Sequence, residues 1–257
     1  MKAAVVIPAR YGSKRFPGKA LMRDPEGRPL LQYVYEAAVH AVGVDRVIIA
    51  TDDARIREVA DEFGAEVRMT RPDHHCGSER CAEVAASLEH DVIVNLQGDE
   101  PSIRPEMVAE VIAILSKDDE CPVATLACPI GSEAELQDPN VVKVVCDDAG
   151  RALYFSRAPI PFVRDATAPL AESRVTHYHH IGIYAYRREF LLDYASWGPH
   201  PLEETEKLEQ LRILAHGYKI VVRVTPYPVL KVDTPRDFEA FLAAWRQRTA
   251  SAGPRGS

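Results

Sequence analysis

Apolar residues fall along this chain in two alternating rhythms. Strand-length apolar runs at Ala3 to Ile7, Arg46 to Ala50, Ala65 to Met69 and Asp91 to Gln97 are each followed by apolar residues at helical spacing. The helical stretches are Pro29 to Gly43, Asp53 to Phe63, Ser78 to Leu88 and Pro105 to Leu115. Proline opens the first and Gly43 stops it, while Asp53 opens the second and Gly64 stops it. Val123 to Pro129 is a further strand. This alternation predicts an α/β, Rossmann-like, mainly parallel sheet with helices on both faces and a ligand site at the strand C-terminal ends.

The rhythm then changes. Val141 to Cys146 and Ala152 to Ser156 flank DDAGR, which is hairpin punctuation, and His180 to Tyr186 is another strand. These antiparallel pieces, about 141–187, read as an insertion or a subdomain edge. Helical spacing returns over Arg188 to Trp197 and Leu202 to His216, the second with an apolar stripe at Leu208, Leu211 and Leu214. Lys219 to Thr225 is a strand. Thr234 and Pro235 cap a last helix, Arg236 to Arg248, with Asp237 placed to favour its positive end. No repeat, low-complexity tract or long linker divides the chain, so 1–249 reads as one domain and 250–257, small and polar, as a disordered tail.

The most informative loop is IPARYGSKRFPGK, Ile7 to Lys19, directly behind the first strand. Gly12 and Gly18 permit backbone angles closed to other residues, and Pro8 and Pro17 stiffen the loop. Arg10, Lys14, Arg15 and Lys19 crowd ten positions. Backbone amides in a glycine-bearing turn with arginine and lysine suit a polyphosphate, although a solvated basic loop has the same composition. Neither GxGxxG nor GxxxxGK[ST] is present.

Composition confines that charge to a local role. The net charge of the 257 residues is −7, which argues against duplex nucleic acid as a partner. No run reaches the roughly 18 apolar residues of a membrane helix, and a cytoplasmic protein is expected. Cys76, Cys81, Cys121, Cys128 and Cys146 are odd in number and lack CxxC spacing, so they read as reduced thiols. His74, His75, Cys76 and Cys81 sit close together, but no second cluster completes a zinc site.

Two carboxylates stand where a parallel sheet would deliver them. Asp99 follows the strand ending at Gln97, and Asp233 follows Leu230 to Val232 just before a helix. Oxygen ligands from separate strand ends, completed by substrate phosphates, commonly hold Mg²⁺. A turn at Asp99 and a cap at Asp233 are the plain structural readings.

IPARYGSKRFPGK, MTRPDHHCGSERCAE (Met69 to Glu83), VNLQGDEP (Val94 to Pro101), DPNVVKVV (Asp138 to Val145), ALYFSRAPIP (Ala152 to Pro161), HIGIYAYR (His180 to Arg187), LEQLR (Leu208 to Arg212) and VDTPRDFE (Val232 to Glu239) together resemble the 3-deoxy-manno-octulosonate cytidylyltransferases, or CMP-Kdo synthetases. The matches run in order from residue 3 to about 245. The resemblance implies a nucleotide-diphospho-sugar transferase fold with an antiparallel insertion. The implied reaction couples CTP to Kdo, giving CMP-Kdo and diphosphate for lipopolysaccharide assembly.

By family position, Arg10, Ser13, Arg15 and Lys19 would hold the CTP phosphates, with Arg80 completing the nucleotide pocket. Asp99 and Asp233 would carry Mg²⁺. Gln97, Arg157, His180, Tyr184, Glu209 and Gln210 would hold Kdo. Arg10, Lys19, Asp99 and Asp233 are thus the catalytic candidates, and a homodimer through the 141–187 region is implied.

The pattern departs from the family at Cys76, where serine is frequent, at Ser78, where threonine is, and at Lys231, where glycine is more usual. Cys76 would place an oxidisable thiol near the nucleotide, and Lys231 a cation beside Asp233. Two alternatives stay open: CMP activation of a related acid sugar such as 8-amino-Kdo or a sialic acid, and a catalytically silent nucleotide-binding protein of the same fold.

Overall fold

Each interior strand of the sheet buries both of its faces, which is why the apolar runs are continuous rather than alternating. In β1 (Ala3–Pro8), Ala3, Val5 and Ile7 enter one core while Ala4 and Val6 enter the other. Burying each such valine or isoleucine contributes about 1.5–3 kcal/mol. The computed structural model describes residues 1–12, 18–118, 120–164, 176–230, 232 and 234–251. Ser13, Arg15, Lys231 and Asp233 lie outside the described residues, as does the tail beyond Ser251.

The remaining strands are β2 (Arg46–Thr51), β3 (Glu66–Met69), β4 (Val92–Leu96), β5 (Val123–Pro129), β6 (Lys143–Cys146), β7 (Ala152–Ser156), β8 (Tyr178–Arg187) and β9 (Ile220–Val224). Their order is β3-β2-β1-β4-β8-β5-β9, with β6 paired to β8 and to β7. The pairs β1–β2, β1–β4, β2–β3 and β5–β9 are parallel.

The helices are α1 (Leu30–Val39), α2 (Ala54–Glu62), α3 (Gly77–Ala85), α4 (Pro105–Leu115), α5 (Glu133–Gln137), α6 (Arg188–Tyr194), α7 (Pro201–Glu206), α8 (Gln210–Ala215) and α9 (Pro235–Ser251). Leu30, Val108 and Phe241 of α1, α4 and α9 pack on one face of the sheet. Cys81, Leu191 and Leu211 of α3, α6 and α8 pack on the other.

Two sequence expectations change. The strand at 180–186 is no edge feature: β8 runs through the sheet interior, antiparallel to β4 and to β5, with Val92 opposite Arg187 and Leu96 opposite Ile183. Its two buried faces explain this, since Ile181, Ile183 and Ala185 join one core and Tyr184 and Tyr186 the other. Only the β6–β7 hairpin lies off the main path.

The expected helix 202–216 is two helices broken at Lys207, whose φ of 54° and ψ of 47° are left-handed. Lysine is a good helix former, so the break comes from tertiary contacts rather than propensity. The last helix begins as expected: Thr234 Oγ1 accepts from Asp237 N, and the Asp237 carboxylate accepts from Thr234 N. It runs to Ser251, two residues into the stretch expected to be disordered.

The sheet also fixes where a ligand can sit. β1 lies between β2 and β4, so successive crossovers leave it in opposite directions and a crevice opens at the C-terminal ends of β1 and β4. Pro8, Ala9 and Arg10 emerge from one strand there, and Gln97, Gly98 and Asp99 from the other.

Candidate active site

Gln97 stands at the meeting point of three cavities. The largest, about 620 Å³, is lined by Arg10, Cys76, Gly77 and Arg80 from the β1 and α3 side and by Glu203, Glu204, Lys207 and Arg212 opposite. A second, about 180 Å³, is lined by Glu100, Asn140, His180, Tyr184, Glu209 and Gln210 among others. A third, about 110 Å³, lies between Arg10 and the Lys19–Asp99 pair. Gln97, Lys207 and Glu209 border both of the first two.

The basic loop delivers its cations through a turn. Gly18 adopts φ 74°, donates its N–H to the Tyr11 carbonyl at 2.9 Å and starts the short turn Lys19–Leu21. Lys19 is thereby drawn inward, only 5% exposed, and its Nζ donates to Asp99 Oδ2 at 2.9 Å. The expected phosphate cation and the expected metal carboxylate are thus partners here. Arg10 is exposed and borders the largest and the third cavity.

Arg80 is buried on α3, where Nη1 donates to Thr70 Oγ1 and Nη2 pairs with Asp52 at 3.3 Å. Cys76 is the N-cap of the same helix, and its thiol meets the Tyr194 hydroxyl at 3.9 Å rather than a helix N–H. Burial, reinforced by the charge of Glu209, pushes the Cys76 thiol far up. The oxidisable thiol expected from sequence is therefore held protonated, and hence slow to oxidise.

The second cavity is supported from the core. Gln97 Nε2 donates to Asn95 Oδ1 at 2.9 Å, Asn95 Nδ2 donates to Ser78 Oγ at 3.1 Å, and Ser78 Oγ shares a 3.2 Å bond with the Tyr186 hydroxyl. With one N–H committed to Asn95, the Gln97 amide keeps its other N–H and its oxygen for further bonds. Gly77 makes this possible, because a Cβ there would lie 2.9 Å from Gln97 Nε2.

Glu209 Oε2 accepts from Ser78 N at 3.2 Å, tying the second cavity to the N-terminus of α3. Gln210, beside it at the start of α8, is buried. Tyr184 is buried between the rings of His180 and Tyr186, at 5.3 and 5.7 Å, and desolvation holds its phenol well above the usual range. Desolvation also pushes His180 down to about 3, so its imidazole is neutral. Thr125 Oγ1 lies 2.7 Å from the Ile183 carbonyl, to which it donates, and 3.0 Å from His180 Nε2. Having one proton, the hydroxyl accepts from Nε2, leaving Nδ1 as the ring's acceptor.

Arg157 stands apart from the other expected sugar contacts. Nε donates to the Glu206 carbonyl at 2.6 Å, Nη1 to Pro139 at 2.8 Å and Nη2 to Lys207 at 3.4 Å. Its backbone N–H meets Glu206 Oε2 at 3.0 Å. Rather than bordering the second cavity, it staples the end of α7 to the turn that carries Asn140. Lys143, fully buried, braces that turn from behind through bonds to the carbonyls of Asp138 and Val141.

The structure therefore gathers Gln97, His180, Tyr184, Glu209 and Gln210 around one cavity and Arg10 and Arg80 around its neighbour. Sequence reasoning missed Asn95, Thr125, Asn140 and Lys207. For Asn95 and Thr125 a signal existed: a polar residue inside a strand apolar on both faces needs partners. Among the described residues no group of three or more His, Cys, Asp and Glu side chains could hold a metal ion. His74 is engaged with Glu83 instead of a zinc set. A site closed by substrate phosphates demands fewer protein ligands, and the half-exposed Asp99 carboxylate suits Mg²⁺ in that sense. No helix among the described residues is long and apolar enough to cross a membrane.

Comparison with known proteins bears on this geometry. A family profile described as Cytidylyltransferase matches residues 4–220. The 3-deoxy-manno-octulosonate cytidylyltransferase of Syntrophotalea carbinolica is 50% identical over 240 residues, covering 92% of this chain and 96% of that protein. That of Idiomarina loihiensis is 50% identical over 246 residues, covering 93% and 96%. A solved CMP:2-keto-3-deoxy-manno-octonic acid synthetase complexed with CTP is 42% identical and superposes with a TM-score of 0.87, covering 96% of this chain and all of that one. A 4-diphosphocytidyl-2C-methyl-D-erythritol synthase from Anaerococcus prevotii, 15% identical with a TM-score of 0.60, shares the fold.

Proposed function

The chain belongs to the cytidylyltransferase family, among the 3-deoxy-manno-octulosonate cytidylyltransferases, and from that premise we infer the assignment of its cavities. The enzyme transfers CMP from CTP to Kdo, releasing diphosphate. The observation that carries the assignment is the seam at Gln97, Lys207 and Glu209, where a large cavity bearing arginines adjoins a small one of amide, imidazole and phenol groups. The first suits a nucleotide triphosphate, the second a polyhydroxylated acid.

The anomeric hydroxyl of Kdo attacks the α-phosphorus in line. A new P–O bond forms, the bond to the β-phosphate oxygen breaks, and the hydroxyl proton leaves. Such a transition state needs alignment and charge neutralisation more than covalent help. Arg10, Lys19 and Arg80 supply fixed cations on the nucleotide side, joined by Ser13 and Arg15 on the family's pattern. Gln97, neutral His180 and Tyr184 supply uncharged hydrogen-bonding groups on the sugar side, while Glu209 and Gln210 close its wall. Asp99 and Asp233 would hold Mg²⁺, which when bound neutralises phosphate charge.

A homodimer through the 141–187 region, a cytoplasmic location and service to lipopolysaccharide assembly belong to the same proposal. Their support is the relatedness to enzymes of that name. Diphosphate release from CTP and Mg²⁺ across a panel of sugar acids tests the central claim. Turnover with Kdo is expected, and turnover with a sialic acid alone would overturn it.

A further inference from the structure

Resting on the reading that this site transfers CMP from CTP, we propose that Arg55, far from any cavity wall, is a positioning residue that acts through Tyr11 to hold Lys19 in place. The guanidinium of Arg55 lies over the face of the Tyr11 ring, 3.3 Å from its centroid. A fork onto Asp53 fixes the guanidinium plane, Nε to Oδ1 at 2.9 Å and Nη2 to Oδ2 at 2.6 Å. Asp53 is itself held. It is the N-cap of α2, accepting from Arg55 N at 2.9 Å, and its own N–H donates to Thr51 Oγ1 at 3.2 Å. Thr51 is fully buried at the end of β2.

Tyr11 passes this anchorage to the turn. Its carbonyl accepts from Gly18 N at 2.9 Å, and its ring lies so near that a Cβ at Gly18 would stand 3.0 Å from Cε2 and 3.4 Å from Cζ. Gly18 is left-handed and starts the turn that draws Lys19 inward to Asp99. The contacts therefore run in series from Thr51 at the end of β2, through Asp53, Arg55, Tyr11 and Gly18, to the Lys19–Asp99 pair beyond β4. Arg55 is exposed, and an exposed pair with aspartate contributes little to stability. Stacking on Tyr11 is what gives the pair a direction. Small displacements of a charged group are costly where phosphoryl transfer depends on alignment, so the series bears on turnover more than on folding.

The test is steady-state kinetics with CTP, Kdo and Mg²⁺ on R55L, Y11F, Y11L, the double variant R55L/Y11L, and R55L combined with Lys19→Met, with urea unfolding of each. The expected result is a kcat about three- to tenfold lower in R55L and Y11L, a KM for Kdo within about twofold of wild type, and near-normal turnover in Y11F, which keeps the ring. The urea midpoint of R55L should match wild type. Because the contacts act in series, R55L should cost nothing further once Tyr11 or Lys19 is already removed. An unchanged kcat in R55L, an equal loss in Y11F, or a full additional loss in the Lys19→Met protein overturns the proposal. So does a kcat that falls only in step with the urea midpoint, which would mark a purely structural role. Wild-type enzyme that turns over no Kdo would instead overturn the functional assignment itself, a separate outcome from normal turnover insensitive to Arg55.

Discussion

Asn95 holds the amide of Gln97 through a 2.9 Å bond from Nε2 to Oδ1, and does so from a fully buried position on β4. The bond fixes the orientation in which the Gln97 amide faces the cavities. Asn95→Leu fills the space but frees the amide to rotate and removes the bond from Asn95 Nδ2 to Ser78 Oγ. One such bond contributes about 0.5–1.5 kcal/mol, so kcat/KM for Kdo should fall on the order of tenfold. Steady-state kinetics checks this, with urea unfolding to register the accompanying loss of stability.

Lys19 and Asp99 neutralise each other across the nucleotide site at 2.9 Å. Charge reversal at Lys19 would press two carboxylates together, so Lys19→Met is the cleaner variant. Loss of one fixed cation facing developing phosphate charge should lower kcat by about 10²–10³ with an unchanged far-ultraviolet circular dichroism spectrum. The Mg²⁺ titration should shift as well, because Asp99 loses its resident counter-charge.

His180 gives the fold a pH dependence of definite sign. Its folded-state value is depressed to about 3 from 6.5, chiefly by desolvation. The stabilising difference is therefore fully present above about pH 6.5 and is lost as pH falls toward 3, because the unfolded chain takes up the proton first. Between pH 6 and pH 5 this one group contributes a slope of about 1.4 kcal/mol per pH unit. Urea unfolding across that interval should show the slope in wild type and a shallower one in His180→Gln.

Arg212 is 1% exposed and forks onto Glu203, Nε to Oε2 at 2.6 Å and Nη2 to Oε1 at 2.7 Å, while Nη1 reaches the Trp197 carbonyl at 3.0 Å. Removing one member of a buried pair leaves the other uncompensated. Arg212→Met should cost about 3–5 kcal/mol, and the double variant with Glu203→Met less than that. Chemical denaturation of the two proteins decides it.

Much of this was legible in the sequence. The parallel half of the sheet follows from unbroken apolar runs separated by helical spacing, and the crevice at Pro8 and Gln97 follows from that alternation. The central position of β8 was not legible, since a run with two apolar faces does not state its neighbours. Nor was the break at Lys207, which rests on Arg157, fifty residues away in sequence. Arg157 illustrates the converse: motif position implies a sugar ligand, and what the sequence does not show is that its guanidinium donates to the carbonyls of Glu206, Pro139 and Lys207.

The interior placement of β8 also constrains synthesis. When the ribosome has made the chain as far as Pro129, β4 and β5 exist but the strand that joins them does not. Both expose open hydrogen-bonding edges until residues 178–187 emerge. The nascent chain must therefore wait, half-assembled, for a strand encoded nearly fifty codons later.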